Sequence, residues 1–305
     1  MWNSFGLMIS GSVCCYLGKF TEARAYHENA LSKLDASYRT LWPTPEDPYV
    51  VVLSHLSRTL LYLGYIDQSL LRRNEALAEA RQLSAYNLAF NVAFTLCQRW
   101  CGDWAAAGPQ SAQTMLRSAD ELLAIASEEA PAWLGLGNIM RGWCLGTIGE
   151  AAEHIPLLIE GLAILRAVGS NLLLPFFLTL LAELYGRSAQ PGEGLDRLAE
   201  AATMIEVTNE RWAEAEMHRL RGTLLLSMHE RAAAEDSFRL ALTVAQQQTA
   251  KFWELRAATS LARLWRDQGK HTEARDLLAP IYGWFSEGFD TLDLKEAKAL
   301  LDELA

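Results

Sequence analysis

No apolar run in this 305-residue chain is long enough to cross a bilayer. The longest lies around Leu172–Ala182, and Pro175 breaks it. No basic region followed by an apolar run and a cleavage site opens the chain, so no secretion signal is read there. Basic blocks are missing too: the net charge is −10, which disfavours DNA or RNA phosphates as partners. The cysteines Cys14, Cys15, Cys97, Cys101 and Cys144 form an odd set without a disulfide framework. Reduced core thiols in a cytoplasmic protein are the expected state. Prolines are few, nine in all, while Ala, Leu, Glu and Arg favour helix. Half the residues are apolar, which excludes a disordered chain.

Catalytic signatures are also wanting. Gly18-Lys19 and Gly269-Lys270 are followed by Phe20 and His271 rather than Ser or Thr, and neither has a glycine five positions earlier. No P-loop is present. Gly135-Leu136-Gly137 lacks a third glycine, so close helix packing is the better reading than a dinucleotide site. Cys97 and Cys101, four apart, share one helix face, but no His or Asp cluster completes a metal set. The histidines are scattered, and no Gly-x-Ser-x-Gly occurs. The ten tryptophans read as packing. No catalytic residue, cofactor or metal is expected.

What is present is a repeat. Gly18, Gly64, Gly102, Gly149, Ala189, His229 and Gly269 occupy equivalent turns, spaced 46, 38 and 47 residues and then 40 three times. Five residues past each turn come Ala23, Ser69, Ala107, His154, Gly194, Ala234 and Ala274. Twelve past come Ala30, Ala76, Thr114, Gly161, Ala201, Ala241 and Ile281. Most of these are small. A small residue at a fixed offset lets two antiparallel helices approach, while large residues elsewhere fill the gaps. Glycine at the turn ends the first helix cheaply in a left-handed conformation, so Ala189 and His229 predict a different turn geometry.

The phrases Gly18-Lys19-Phe20-Thr21-Glu22-Ala23, Gly102-Asp103-Trp104 and Gly269-Lys270-His271-Thr272-Glu273-Ala274 resemble the tetratricopeptide turn. The resemblance spans the chain and implies an all-α right-handed superhelix, an α-solenoid of about seven hairpins. The repeats are placed at about 4–34, 49–83, 84–126, 131–167, 171–206, 210–248 and 251–285, forming one array over 1–305. Pro43, Pro45 and Pro48 mark a loop between the first two hairpins. Gly108-Pro109 predicts a kink or break in the third. A capping helix is expected over 291–304, started by an Asp293-x-x-Glu296 capping box. Met1–Met8 enters repeat one without a matching cap, the pattern expected where an upstream domain covers that end.

In the tetratricopeptide pattern the first helices line the concave side. Carrying its offsets over places Arg58, Arg99, Glu183, Arg187, Glu216, Arg219, Arg256, Arg263 and Arg266 in the groove as partner-binding candidates. Arg256, Arg263 and Arg266 fall near one helix face, and planar guanidiniums suit bidentate capture of carboxylates. A protein or peptide partner, acidic at the C-terminal repeats, is one expectation. Internal salt bridges to Asp267 and Glu254 are the other.

Three segments narrow the family: Trp212–Gly222 (WAEAEMHRLRG), Glu254–Trp265 (ELRAATSLARLW) and Leu277–Asp290 (LLAPIYGWFSEGFD). Together they resemble the C-terminal repeat region of bacterial multidomain signalling proteins. In these, a class III adenylate/guanylate cyclase or other output domain precedes a signal-transduction P-loop ATPase and a tetratricopeptide tail. The resemblance implies a non-catalytic sensor or interaction tail acting on an upstream or separate ATPase or cyclase domain. A standalone peptide- or small-molecule-binding repeat protein is the alternative.

Overall fold

The computed structural model describes residues 2–34, 45–102, 109–126 and 131–305, with side chains except at residues 2, 96–102 and 109–112. Fifteen helices and no strand occur among the described residues. They are α1 (Trp2–Tyr16), α2 (Phe20–Leu31), α3 (Pro48–Tyr62), α4 (Ile66–Ala80), α5 (Ala85–Gly102), α6 (Pro109–Ile125), α7 (Pro131–Ile148) and α8 (Ala151–Ala167). Then follow α9 (Leu174–Arg187), α10 (Pro191–Thr208), α11 (Glu214–Ser227), α12 (Arg231–Gln247), α13 (Lys251–Asp267), α14 (His271–Tyr282) and α15 (Leu292–Glu303). Each odd-numbered helix pairs with the next, and successive odd helices also pack on each other. The result is an α-solenoid of seven hairpins plus a terminal helix, with the odd helices as its inner layer.

The small-residue frame works as steric reasoning demands. Ala23, Ala30, Ala76, Ala201, Ala234, Ala241 and Ala274 are wholly buried at helix crossings. At the α7–α8 crossing the backbones touch: a methyl group on Gly161 would lie 2.5 Å from the Gly135 carbonyl oxygen. Gly135-Leu136-Gly137 is thus a packing element. In the third hairpin α6 starts at Pro109; the kink or break expected at Gly108, together with Ala107 and Trp104, lies outside the described residues.

Two expectations need correction. Ala189 and His229 do not use another turn geometry. Both adopt the left-handed conformation of Gly18, Gly64 and Gly269, with φ of 57° and 65°. At these turns the hairpin geometry imposes the conformation on a non-glycine residue, which bears the strain, whereas Gly149 turns without a left-handed φ. Nor does Asp293 start a capping box. The residue before α15 is Thr291, without a side-chain cap bond, and its hydroxyl donates to the Gly288 carbonyl. Asp293 turns inward to Arg256 instead, and Glu296 pairs with Arg263.

The superhelix closes on itself. The turns of hairpins one and two reach loops about 200 residues later. The amides of Arg211 and Trp212 donate to the Tyr16 carbonyl at 2.8 and 3.2 Å. Thr21 and Thr249 hydroxyls meet at 3.1 Å. Gln248 donates to the Arg211 carbonyl and fills the space above Gly18, where a methyl group would lie 2.5 Å from its amide nitrogen. Glu287 accepts the Asp67 and Gln68 amides at the start of α4, where helix N-terminal donors are otherwise unsatisfied. Asp67 in turn accepts the Gly288 amide at 3.3 Å.

Inside the closed body, His27 lies against α1 at Gly11, where a methyl group would sit 2.6 Å from the ring. The ring is fully buried, and neither nitrogen has a hydrogen-bond partner. Burial, aided by the charge of Arg58, pushes its pKa down to about 3. His55 and His218 shift the same way.

Two measurements check these points. Ala189→Gly, which relieves the left-handed strain, is expected to stabilise by about 0.5–1 kcal/mol in denaturant unfolding, with His229→Gly acting likewise. The folded pKa of His27 is depressed, so the unfolded chain binds the proton first as pH falls. Stability contributed above about pH 6.5 is therefore lost on acidification. His27→Leu should lose less stability than wild type between about pH 7 and about pH 5. Parallel losses in the two proteins would contradict this.

Candidate binding chamber and the closed concave face

α3 is buried on every side from Val50 to Tyr62, because the outer turn of the closed superhelix covers the face a groove would expose. Arg58 sits at its centre, wholly buried. Its guanidinium lies 4.7 Å from the ring centre of Trp212, 5.3 Å from Phe94 and 5.4 Å from Tyr16. Desolvating a guanidinium is expensive unless opposite charge and ring faces compensate. Glu210 supplies the charge. It is itself buried and accepts bonds from the Trp212 indole at 2.7 Å and the Leu173 amide at 2.9 Å. Burial raises its pKa, opposed by those two bonds and by Arg58. Tyr62 stacks between Trp212 and Trp253, with ring centres 5.5 and 5.4 Å away. The Trp253 indole donates to the Trp212 carbonyl at 3.0 Å. Repeats one, two, six and seven therefore share one aromatic core.

Beside this core a chamber of about 420 Å³ opens on the inner layer. Phe5, Met8, Ile9 and Tyr16 of α1, Val51 and His55 of α3, Phe90 and Phe94 of α5, and Trp133 and Leu136 of α7 line it. Leu172, Leu173 and Phe177 line it as well. The size suits a ligand site. A smaller pocket of about 240 Å³ adjoins it, sharing Tyr16 and Leu172 and ending at residues 208–210. Tyr16 is thus at once a wall of the chamber and, through its carbonyl, a strut of the closure. Leu173 is likewise both a wall and a residue held by Glu210 in a left-handed conformation, φ 66°.

The residues singled out from sequence divide into three groups. Arg58 belongs to the buried core. Arg99 has a side chain outside the described residues. The remaining seven, two glutamates and five arginines, are all ion-paired along the inner layer. Glu183 accepts the Trp143 indole at 3.0 Å and pairs with Arg187 at 3.1 Å. Glu216 pairs with Arg219 at 2.7 Å and with Arg256 at 3.3 Å. Burial opposes its ionisation, yet these guanidiniums hold its carboxyl below the ordinary value. Arg256 continues to Asp293 at 3.3 Å, Arg263 pairs with Glu296, and Arg266 pairs with Glu303 and Asp267. Glu254 pairs with Lys251 rather than with an arginine. The acidic element seated on the C-terminal arginines is thus the chain's own α15.

Sequence reasoning missed the chamber aromatics, Tyr16 and Glu210. One signal was available: a helix apolar all round, as in Tyr49-Val50-Val51-Val52-Leu53, marks burial on every face. Among the described residues no group of His, Cys, Asp and Glu could hold a metal ion, and no helix is long and apolar enough to cross a membrane.

No family model matches the chain, and no curated protein sequence is recognisably similar. Solved structures are. A Rap protein complexed with competence and sporulation factor superposes with a TM-score of 0.61 at 12% identity, covering 100% of this chain and 80% of that one. The apo form of RapI gives 0.54 at 12% identity over 98% and 99% of the two chains. A signal-transduction ATPase with numerous domains and a tetratricopeptide-repeat sensor, from Pyrococcus horikoshii, gives 0.52 at 11% identity. That match covers 93% of this chain but only 46% of the ATPase. At such identities the likeness is one of fold: the chain is built as a tetratricopeptide-type α-solenoid.

Proposed function

We propose that the chain is a non-catalytic regulatory module that binds protein or peptide partners and reports occupancy of its chamber through closure of the superhelix. The carrying observation is the double role of Tyr16, which lines the chamber while its carbonyl holds the Arg211–Trp212 loop of the opposite turn. A guest that moves Tyr16 or Leu173 has different contact energies in the closed and loosened forms, which is the requirement for shifting such an equilibrium. The described inner face presents paired charges and aromatics, without an activated nucleophile. The folds of the Rap proteins and of the sensor-bearing ATPase support a signalling context. The output is a signalling ATPase or nucleotide cyclase, attached or separate, in the cytoplasm; a standalone repeat protein is the second reading. An acidic partner reaches Arg263 and Arg266 by displacing Glu296 and Glu303, whose pairs are half exposed.

Affinity purification from the native host, followed by mass spectrometry, tests the assignment. Wild type is expected to recover a P-loop ATPase or cyclase, attached or separate, and Trp212→Ala, which removes the closing ring, to change that domain's turnover. Equal turnover with both proteins, or ATP hydrolysis by this chain alone, would refute it.

A further inference from the structure

The chamber is suited to one chemical kind of guest. Among the described residues five polar ones line it: Ser12, Tyr16, Glu46, His55 and Ser170. Three are engaged within the protein. Ser12 donates to the Met8 carbonyl at 3.0 Å, the His55 Nδ1 lies 3.0 Å from the Val51 carbonyl, and Glu46 accepts the Tyr86 hydroxyl at 3.0 Å. Burial, with the charges of His27 and Arg58, holds His55 well below its ordinary pKa, so its ring is neutral. No Lys or Arg lines the cavity among the described residues, and Arg58 stands behind the rings of Tyr16 and Phe94. Among the described wall residues the one acidic side chain is Glu46, a poor neighbour for an anion.

A peptide backbone is equally poorly served. It carries a donor and an acceptor at nearly every residue, and each needs a partner once buried. The asparagines of the adjoining α5 face are already bonded. Asn87 accepts the Asp47 amide and donates to the Pro45 carbonyl and to Ser84. Asn91 donates to Ser54 at 2.9 Å. An extended chain in the cavity would leave its own groups unsatisfied, whereas an apolar surface gains by leaving water.

We infer that the chamber binds an uncharged, predominantly apolar small molecule of drug-like size. This deepens the regulatory reading, on which its biological consequence rests, while the binding itself is measured without any partner. The purified chain is titrated with N-phenyl-1-naphthylamine, an uncharged apolar fluorophore, and the bound probe is competed with 1-dodecanol, with laurate at pH 8 and with a short apolar peptide. Expected are saturable probe binding, displacement by dodecanol, and displacement by laurate at least tenfold weaker, because no described wall residue supplies a cation for its buried carboxylate. Ala132→Phe, which fills the cavity from α7, should weaken probe binding at least tenfold while leaving the melting temperature near that of wild type. If that variant does not fold, the alcohol-against-acid comparison on wild type decides the matter. Absence of probe binding, laurate competing as well as dodecanol, a peptide competing better than dodecanol, or a folded Ala132→Phe variant that binds the probe unchanged would each overturn the inference. Loss of partner recovery with probe binding intact would sink the regulatory reading alone.

Discussion

Everything distinctive about this solenoid depends on placing Arg58 in its interior. A guanidinium removed from water must be compensated from several directions at once. Here the compensation comes from repeat one (Tyr16), repeat three (Phe94) and the loop before α11 (Trp212 and Glu210). Those groups lie on opposite turns of the superhelix, so satisfying Arg58 and closing the ring are the same event. The Tyr62 stack with Trp212 and Trp253 then supplies apolar area, and the peripheral bonds at Thr21, Gln248 and Glu287 fix the register. An ordinary repeat array is held only by contacts between neighbours. This one adds contacts across a whole turn.

The closure changes what the concave face can be. The five arginines of the row from Arg187 to Arg266 are met by Glu183 and Glu216 within it and by Asp293, Glu296 and Glu303 of α15. Burial pushes the Asp293 carboxyl up to about 6 despite Arg256, which marks the inner end of α15 as partly desolvated. The space left open is apolar and lies at the other end of the array, between α1 and α7. Charge and cavity are thus segregated. A charged partner competes with α15, and an apolar guest meets the walls that hold the ring shut.

The repeat was legible because its rule is local. A crossing of two neighbouring helices demands a small residue at a fixed distance from the turn, and Ala23, Ala234 and Ala274 record it in the sequence. The inner-layer positions followed from the same frame. Their partners did not, since Glu183 answers Trp143 and Arg263 answers Glu296 across about one period, where many side chains compete for the role. Ala189 and His229 were misread because glycine is the usual occupant of a left-handed turn, not a requirement of it. The ring closure left no periodic trace at all. Contacts between Tyr16 and Trp212 arise from accumulated rotation per repeat, which no single repeat encodes.

The direct test of the closed superhelix is a cross-link between its two turns. Thr21 and Thr249 are exposed, and their hydroxyls are 3.1 Å apart, although 228 residues separate them in the chain. In a Thr21→Cys, Thr249→Cys double variant under mild oxidation, peptide mass spectrometry should find these two positions joined within one chain in most molecules. A folded double variant whose two cysteines stay reduced, or link only between chains, would contradict the closure and the account built on it.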